Sequence, residues 1–148
     1  MAFRDVSAAL VKGVAAGAVG TGVMTGYQMA QMKLQGGAPS TTPADAVEKT
    51  FPVSTSGKQE KMRLANLTHW GYGTGWGAVR GLLGATGMSG TAASTVFFGL
   101  VWGSALTMLP ALDLAPKRQE WGPKALGEDA LMHGIYATAV GLAYEAMS

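Results

Sequence analysis

The sequence predicts an all-α protein in a lipid bilayer: a four-helix polytopic transmembrane bundle made of two pseudo-repeated helical hairpins. Three observations predict it. Residues 67–77 (L-T-H-W-G-Y-G-T-G-W-G) recur 64 positions later as residues 131–141 (L-M-H-G-I-Y-A-T-A-V-G). Leu, His, Tyr, Thr and Gly match in place, and the only histidines, His69 and His133, coincide. Stretches 13–32, 64–79, 81–112 and 130–144 contain no Asp, Glu, Lys or Arg. Charged residues make up 14% of the chain, against roughly 25% in soluble domains. A bilayer-crossing helix needs about 20 mostly apolar residues. The first and third stretches supply that alone; the other two supply it when Arg80, Glu128, Asp129 and Glu145 sit near helix ends. A soluble helical fold would need polar outer faces, and 13–32 offers only Thr, Tyr and Gln for them.

The chain, 1–148, is read as one domain, with a first hairpin over about 8–84 and a second over about 91–147. The first span is expected at about 8–32, where Lys12 can reach a headgroup and Gly13, Gly17, Gly22 and Gly26 fall near one face. Small residues at such spacing let helix backbones approach closely in lipid. Residues 34–59 form a polar connection, in which Thr42 reads as an N-cap, Pro43 as the first helical position, and a short interfacial helix ends near Thr50. Ser56 and Gln59 have capping-box spacing ahead of the second span at about 64–84. That span carries Gly73, Gly77 and Gly81 at four-residue steps, and a second stripe of His69, Tyr72, Trp76 and Arg80. A glycine-rich turn leads to the third span at about 91–109, with Gly99 and Gly103, stopped by Pro110. A second polar connection at 112–124 precedes the fourth span, from about 123 to 147. The two long connections and the residues flanking the first hold eight of eleven basic residues (Lys33, Lys49, Lys58, Lys61, Arg63, Lys117, Arg118, Lys124), which favours a cytoplasmic location for them.

This order of elements resembles bacterial inner-membrane proteins of the YagU type, a family of undefined function. The residues carrying the likeness are 13–17, 67–70 (L-T-H-W) and 128–133. The resemblance implies a small polytopic inner (plasma) membrane protein and supplies no activity.

Several functions are disfavoured by composition. There is no cysteine, hence no disulfide or thiolate chemistry. A net charge of +2 without a basic stripe gives no reason to expect nucleic acid as a partner. Gly73-x-Gly75-x-x-Ala78 matches a dinucleotide fingerprint in letters only, since no strand precedes it. No Ser/His/Asp arrangement or carboxylate pair is placed for catalysis, which favours a non-enzymatic role. The candidate polar network is His69, Tyr72, Trp76, Arg80, Asp129, His133 and Tyr136, because ionisable groups within a membrane are costly and invite a functional explanation. Three readings of it are open. In the first, the histidines simply join helices by hydrogen bonds. In the second, the network lines a small-solute or proton path, alone or in an assembly with itself or other membrane subunits, with the lipid bilayer as the other partner. In the third, the alternative, His69 and His133 ligate a haem b, with no other cofactor or metal expected.

Overall fold

The computed structural model describes residues 3–117 and 120–148, with side chains from residue 5 onward. Arg118 and the side chain of Arg4, both counted in the charge reading, lie outside the described residues. The chain forms α1 (Phe3–Gln35), α2 (Thr42–Thr50), α3 (Lys58–Ala85), α4 (Gly90–Ala111) and α5 (Pro123–Ala146). α1 runs unbroken for 33 residues, with Asp5 in its first turn and Lys33 in its last, each complementing the helix dipole. α2 begins one residue earlier than the sequence suggested. Thr41 is its N-cap residue, and the Thr41 hydroxyl donates to Asp45 Oδ2 at 3.1 Å. The capping box expected of Ser56 and Gln59 does not form: Gly57 is the N-cap residue of α3, without a side-chain cap, and the Ser56 amide and hydroxyl both donate to Glu60 Oε2 at 2.8 and 2.7 Å. Pro110 does not stop α4, which continues through it to Ala111. The chain then reverses at Asp113, whose φ of 51° is left-handed. There the Lys49 ammonium donates to the Leu112 carbonyl, a cation at a helix C-terminus that ties the first connection to the second.

Two features of the expected four-helix transmembrane bundle are corrected. Among the described residues there are five α-helices, the fifth being α2, which packs on α3. Among them only α1, from Asp5, and α4 are long and apolar enough to cross a membrane. α3 opens with Lys58, Glu60, Lys61 and Arg63 and holds Arg80, and α5 holds Lys124, Glu128, Asp129 and Glu145. α3 is further diluted by Asn66, His69, Tyr72 and its glycines, and α5 keeps only residues 130–144 free of charge, so neither combines the length and the apolarity of a span. Of the two apolar stretches, 28% and 22% is buried, so neither is a core helix sheathed by the rest of the chain.

The two pseudo-repeated hairpins are also unlike in packing. α1 and α3 lie antiparallel, backbone against backbone. A Cβ on Gly17 would stand 2.9 Å from Gly77 Cα, and one on Gly13 would stand 2.9 Å from Gly81 Cα. Real Cβ atoms essentially never approach so closely, and the obstructing atoms are main chain. α4 meets α5 through side chains instead: Phe97 of α4 lies against Tyr136 of α5 with ring centroids 5.9 Å apart, and Ser94 packs on Gly141. Gly99 and Gly103, expected to mirror the first hairpin's glycines, face open space, as does Gly26, while Gly22 only touches Trp70 at 3.6 Å. α5 also runs antiparallel along α1, where Gly20 receives Val140 and Tyr136. The buried core is Ala16, Phe97, Val101, Tyr136, Ala137, Val140 and Tyr144, so it gathers where α1, α4 and α5 converge.

Gly77→Val should therefore destabilise the fold by at least about 2 kcal/mol, because the backbone it meets cannot rotate away. Gly99→Ala, on the open face of α4, should be neutral or gain up to about 1 kcal/mol of helix propensity. Chemical denaturation of the two purified variants beside the parent checks both signs.

Candidate functional site

The sequence singled out polar groups on α3 and α5, and the packing sorts them into three levels along those two helices. α3 and α5 run parallel, with residues of α5 beside residues of α3 numbered 63 to 65 lower. His69 and His133, 64 apart, therefore stand at one level, but they have different partners.

His69 faces α1. Its Nε2 lies 3.1 Å from the Thr25 hydroxyl oxygen. The single hydroxyl hydrogen of Thr25 is given to the Thr21 carbonyl at 2.7 Å. Thr25 can only accept, so His69 Nε2–H is the donor and Nδ1 keeps the lone pair of the neutral ring. His133 has the opposite arrangement. Its Nδ1 sits 2.9 Å from the Asp129 carbonyl oxygen and 3.5 Å from Asp129 Oδ2, both acceptors, so Nδ1 carries the hydrogen. Asp129 is held in turn by Trp102 of α4, whose indole N–H donates to Oδ2 at 2.9 Å. Among the described residues no hydrogen bond or ion pair joins the two histidines, and no group of three or more His, Asp or Glu is placed to hold a metal.

One turn on, the Tyr136 hydroxyl donates to the Gly73 carbonyl at 2.5 Å. That carbonyl belongs to a helix interior; the missing side chain of Gly73 makes room on another side, where a Cβ would collide with the Thr21 hydroxyl oxygen of α1. Tyr136 is buried at 3% exposure, whereas Tyr72, its partner in the sequence repeat, is 44% exposed. Tyr72 meets Trp76 edge-on at 6.1 Å. With Gly71, Gly75 and Val79 they line an open, apolar groove on the outer face of α3.

The third level is at the far ends of the helices, about 16 Å from the histidines at 1.5 Å per residue. Arg80 is wholly buried. Its Nη2 donates to Glu145 Oε1 at 2.5 Å, and its guanidinium lies 4.3 Å from the Tyr144 ring centroid. Glu145 Oε1 also accepts from the Gly90 amide at 2.8 Å, so α3, α5 and the start of α4 meet at one oxygen. Arg80 Nε and Nη1 have no hydrogen-bond partner. Burying such donors unpaired costs about 1–3 kcal/mol each. Between this level and the tyrosines lie Phe97 and Val140, both fully buried, so the polar levels are not continuous through the chain.

Thr25, Trp102, Tyr144 and Glu145 complete the network and were not anticipated. Two signals for them were present. Gly13, Gly17, Thr21 and Thr25 follow one another at four-residue steps, and the 64-residue shift carries Arg80 onto Tyr144, beside Glu145.

At the opposite end α2 is clipped to α3. Lys61 bridges Asp45 and Glu48 at 2.6 and 3.2 Å. Hydrogen bonds from the Thr55 hydroxyl and amide, then Lys61, hold the Glu48 carboxyl below its ordinary value of 4.5. The Ser56 amide and hydroxyl do the same for Glu60. Asp45 and Glu48 raise Lys61 above 10.5. Depressed carboxyls stabilise above their unfolded value and lose that contribution as pH falls through the native one. The raised lysine contributes below its unfolded value and loses it as pH climbs through the native one. The clip should therefore hold between roughly pH 5 and 10. Rate-corrected hydrogen exchange over residues 42–60 should show protection at pH 7 that is lost by about pH 3, and lost at pH 7 in Lys61→Ala. Tyr136→Phe should cost about 1 kcal/mol in denaturation, the value of one lost hydrogen bond.

No protein-family model, no curated protein and no solved structure matches the chain. What it does is therefore to be read from its own residues.

Proposed function

We propose that the chain is a small, non-enzymatic component of a membrane, carried by α1 and α4, that works by assembling with copies of itself or with other membrane helices. One observation carries this reading: large apolar side chains cover the outside of the bundle as well as its core. The largest fully buried side chain is Arg80, while Val11, Val19, Val23, Leu34, Leu67, Leu131 and Leu142 are 47–86% exposed. In water that arrangement forfeits hydrophobic stabilisation; against lipid it forfeits none. Mutual assembly is favoured over a path through one copy because Phe97 and Val140 close the interior between the polar levels. The open small-residue positions Gly71 and Gly75 on α3, and Gly99 and Gly103 on α4, leave faces on which another helix can lie close. The likeness to YagU-type proteins and the basic connections support a bacterial plasma membrane, with those connections in the cytoplasm.

The test uses the absence of cysteine. The protein should stay with the membrane after alkaline carbonate washing and need detergent for extraction. Single cysteines introduced as Gly99→Cys, Gly103→Cys or Gly75→Cys should give oxidative cross-links in membranes, and Val19→Cys on the opposite helix should not. Release of folded protein by carbonate would overturn the membrane reading; carbonate resistance without any cross-link, to itself or another chain, would overturn assembly.

A further inference from the structure

We propose that Arg80 and the N-terminal end of α4 form an anion-binding site, held in this conformation by the tethered carboxylate of Glu145, which a phosphate or carboxylate group from outside can displace. The proposal goes beyond the assembly reading and does not require it.

Two independent features converge on the same point. The first is the start of α4, a 22-residue helix whose N-cap residue, Ser89, makes no side-chain cap hydrogen bond. Its free amides and dipole attract negative charge. The Gly90 amide, in a left-handed conformation with φ of 57°, is turned onto Glu145 Oε1. The second is the guanidinium of Arg80, which donates to that same oxygen. A guanidinium offers five N–H groups, and Nη2 shares an oxyanion fork with each of its neighbours Nε and Nη1. Glu145 engages Nη2 through one oxygen only, and both neighbouring nitrogens lack an acceptor although Arg80 is 0% exposed. A carboxylate or phosphate seated end-on could fill two nitrogens where Glu145 fills one.

Geometry also permits exchange. The Glu145 side chain is 38% exposed and Gly90 lies at the surface, so the position held by Oε1 is reachable although Arg80 itself is not. Tyr144, whose hydroxyl packs tightly on Gly84, holds the guanidinium in place from the other side and would stay when Glu145 leaves. The site selects for compact oxygen anions with two acceptors; a free phosphate and a lipid phosphate share that chemistry.

The experiment is a titration of the full chain, in phosphatidylcholine nanodiscs, with inorganic phosphate at constant ionic strength, followed by the ¹⁵N–¹H resonances of the Gly90 amide and Arg80 Nε. A parallel preparation contains phosphatidylglycerol and no free phosphate. Saturable movement of both resonances is expected in at least one arm, and which arm responds names the source. Glu145→Gln, a neutral occupant of the same shape, should bind at least about tenfold more tightly, since it removes a competing charge-assisted hydrogen bond. Arg80→Lys should abolish the response; where that variant does not fold, the comparison of Glu145→Gln with the parent decides. Resonances unmoved in both arms for parent and Glu145→Gln alike would overturn the site, as would movement that Glu145→Gln leaves at the same affinity.

Discussion

The close approach of α1 and α3 is the contact on which the other elements depend. Where Gly13 and Gly17 meet Gly77 and Gly81 there is no side-chain layer at all, and the helices are separated by main chain alone. Such contact gains dispersion and costs little side-chain entropy, which is how helices associate when apolar burial drives nothing. It also fixes the rotation of α3. With Gly73, Gly77 and Gly81 turned towards α1, His69 reaches Thr25, the Gly73 carbonyl accepts from Tyr136, and Arg80 turns inward beside α5. A helix held by larger side chains could roll; this one cannot without collision of backbones.

Burial of Arg80 follows from that rotation and sets the character of the molecule. An isolated guanidinium in a dry interior is costly, and removal of its partner from such a pair is more costly still. Here the cost is shared among Glu145, the face of Tyr144 and the amide end of α4. Three helices thereby meet at one carboxylate oxygen. At the other end of the bundle the equivalent joining is done by Lys49 and Lys61, which are well hydrated and individually weak. The two ends therefore differ physically: one is a partly dry junction built on a single buried cation, the other a solvated clip with several exchangeable ion pairs.

The sequence repeat illustrates how similar residues acquire different jobs. Tyr72 and Tyr136 occupy matched positions, yet Tyr136 is buried with its hydroxyl on Gly73 and Tyr72 lies on an outer groove. α1 presents glycines to α3, whereas α4 presents Phe98 and Trp102 to α5. The match in letters over eleven positions places the histidines level with one another and gives them unlike neighbours. Periodicity sets which residues share a helix face; it does not say which neighbour that face meets.

Helix content, the short helix near Thr50, the positions of the turns, and the close-packed glycines Gly13 and Gly17 on α1 and Gly73, Gly77 and Gly81 on α3 were determined by the sequence itself, whereas Gly22 and Gly26 of the expected α1 stripe do not pack closely. Each follows from local causes: runs without proline, caps of Ser, Thr and Gly, and a four-residue repeat. The tertiary structure alone decided that Gly99 and Gly103 face outward, and that Glu145 and Tyr144 complete the surroundings of Arg80. Those outcomes depend on the rotation of one helix against another. That rotation is fixed by steric contact between residues far apart in the chain, from Thr21 with Gly73 to Ala9 with Gly81, and no local pattern encodes it.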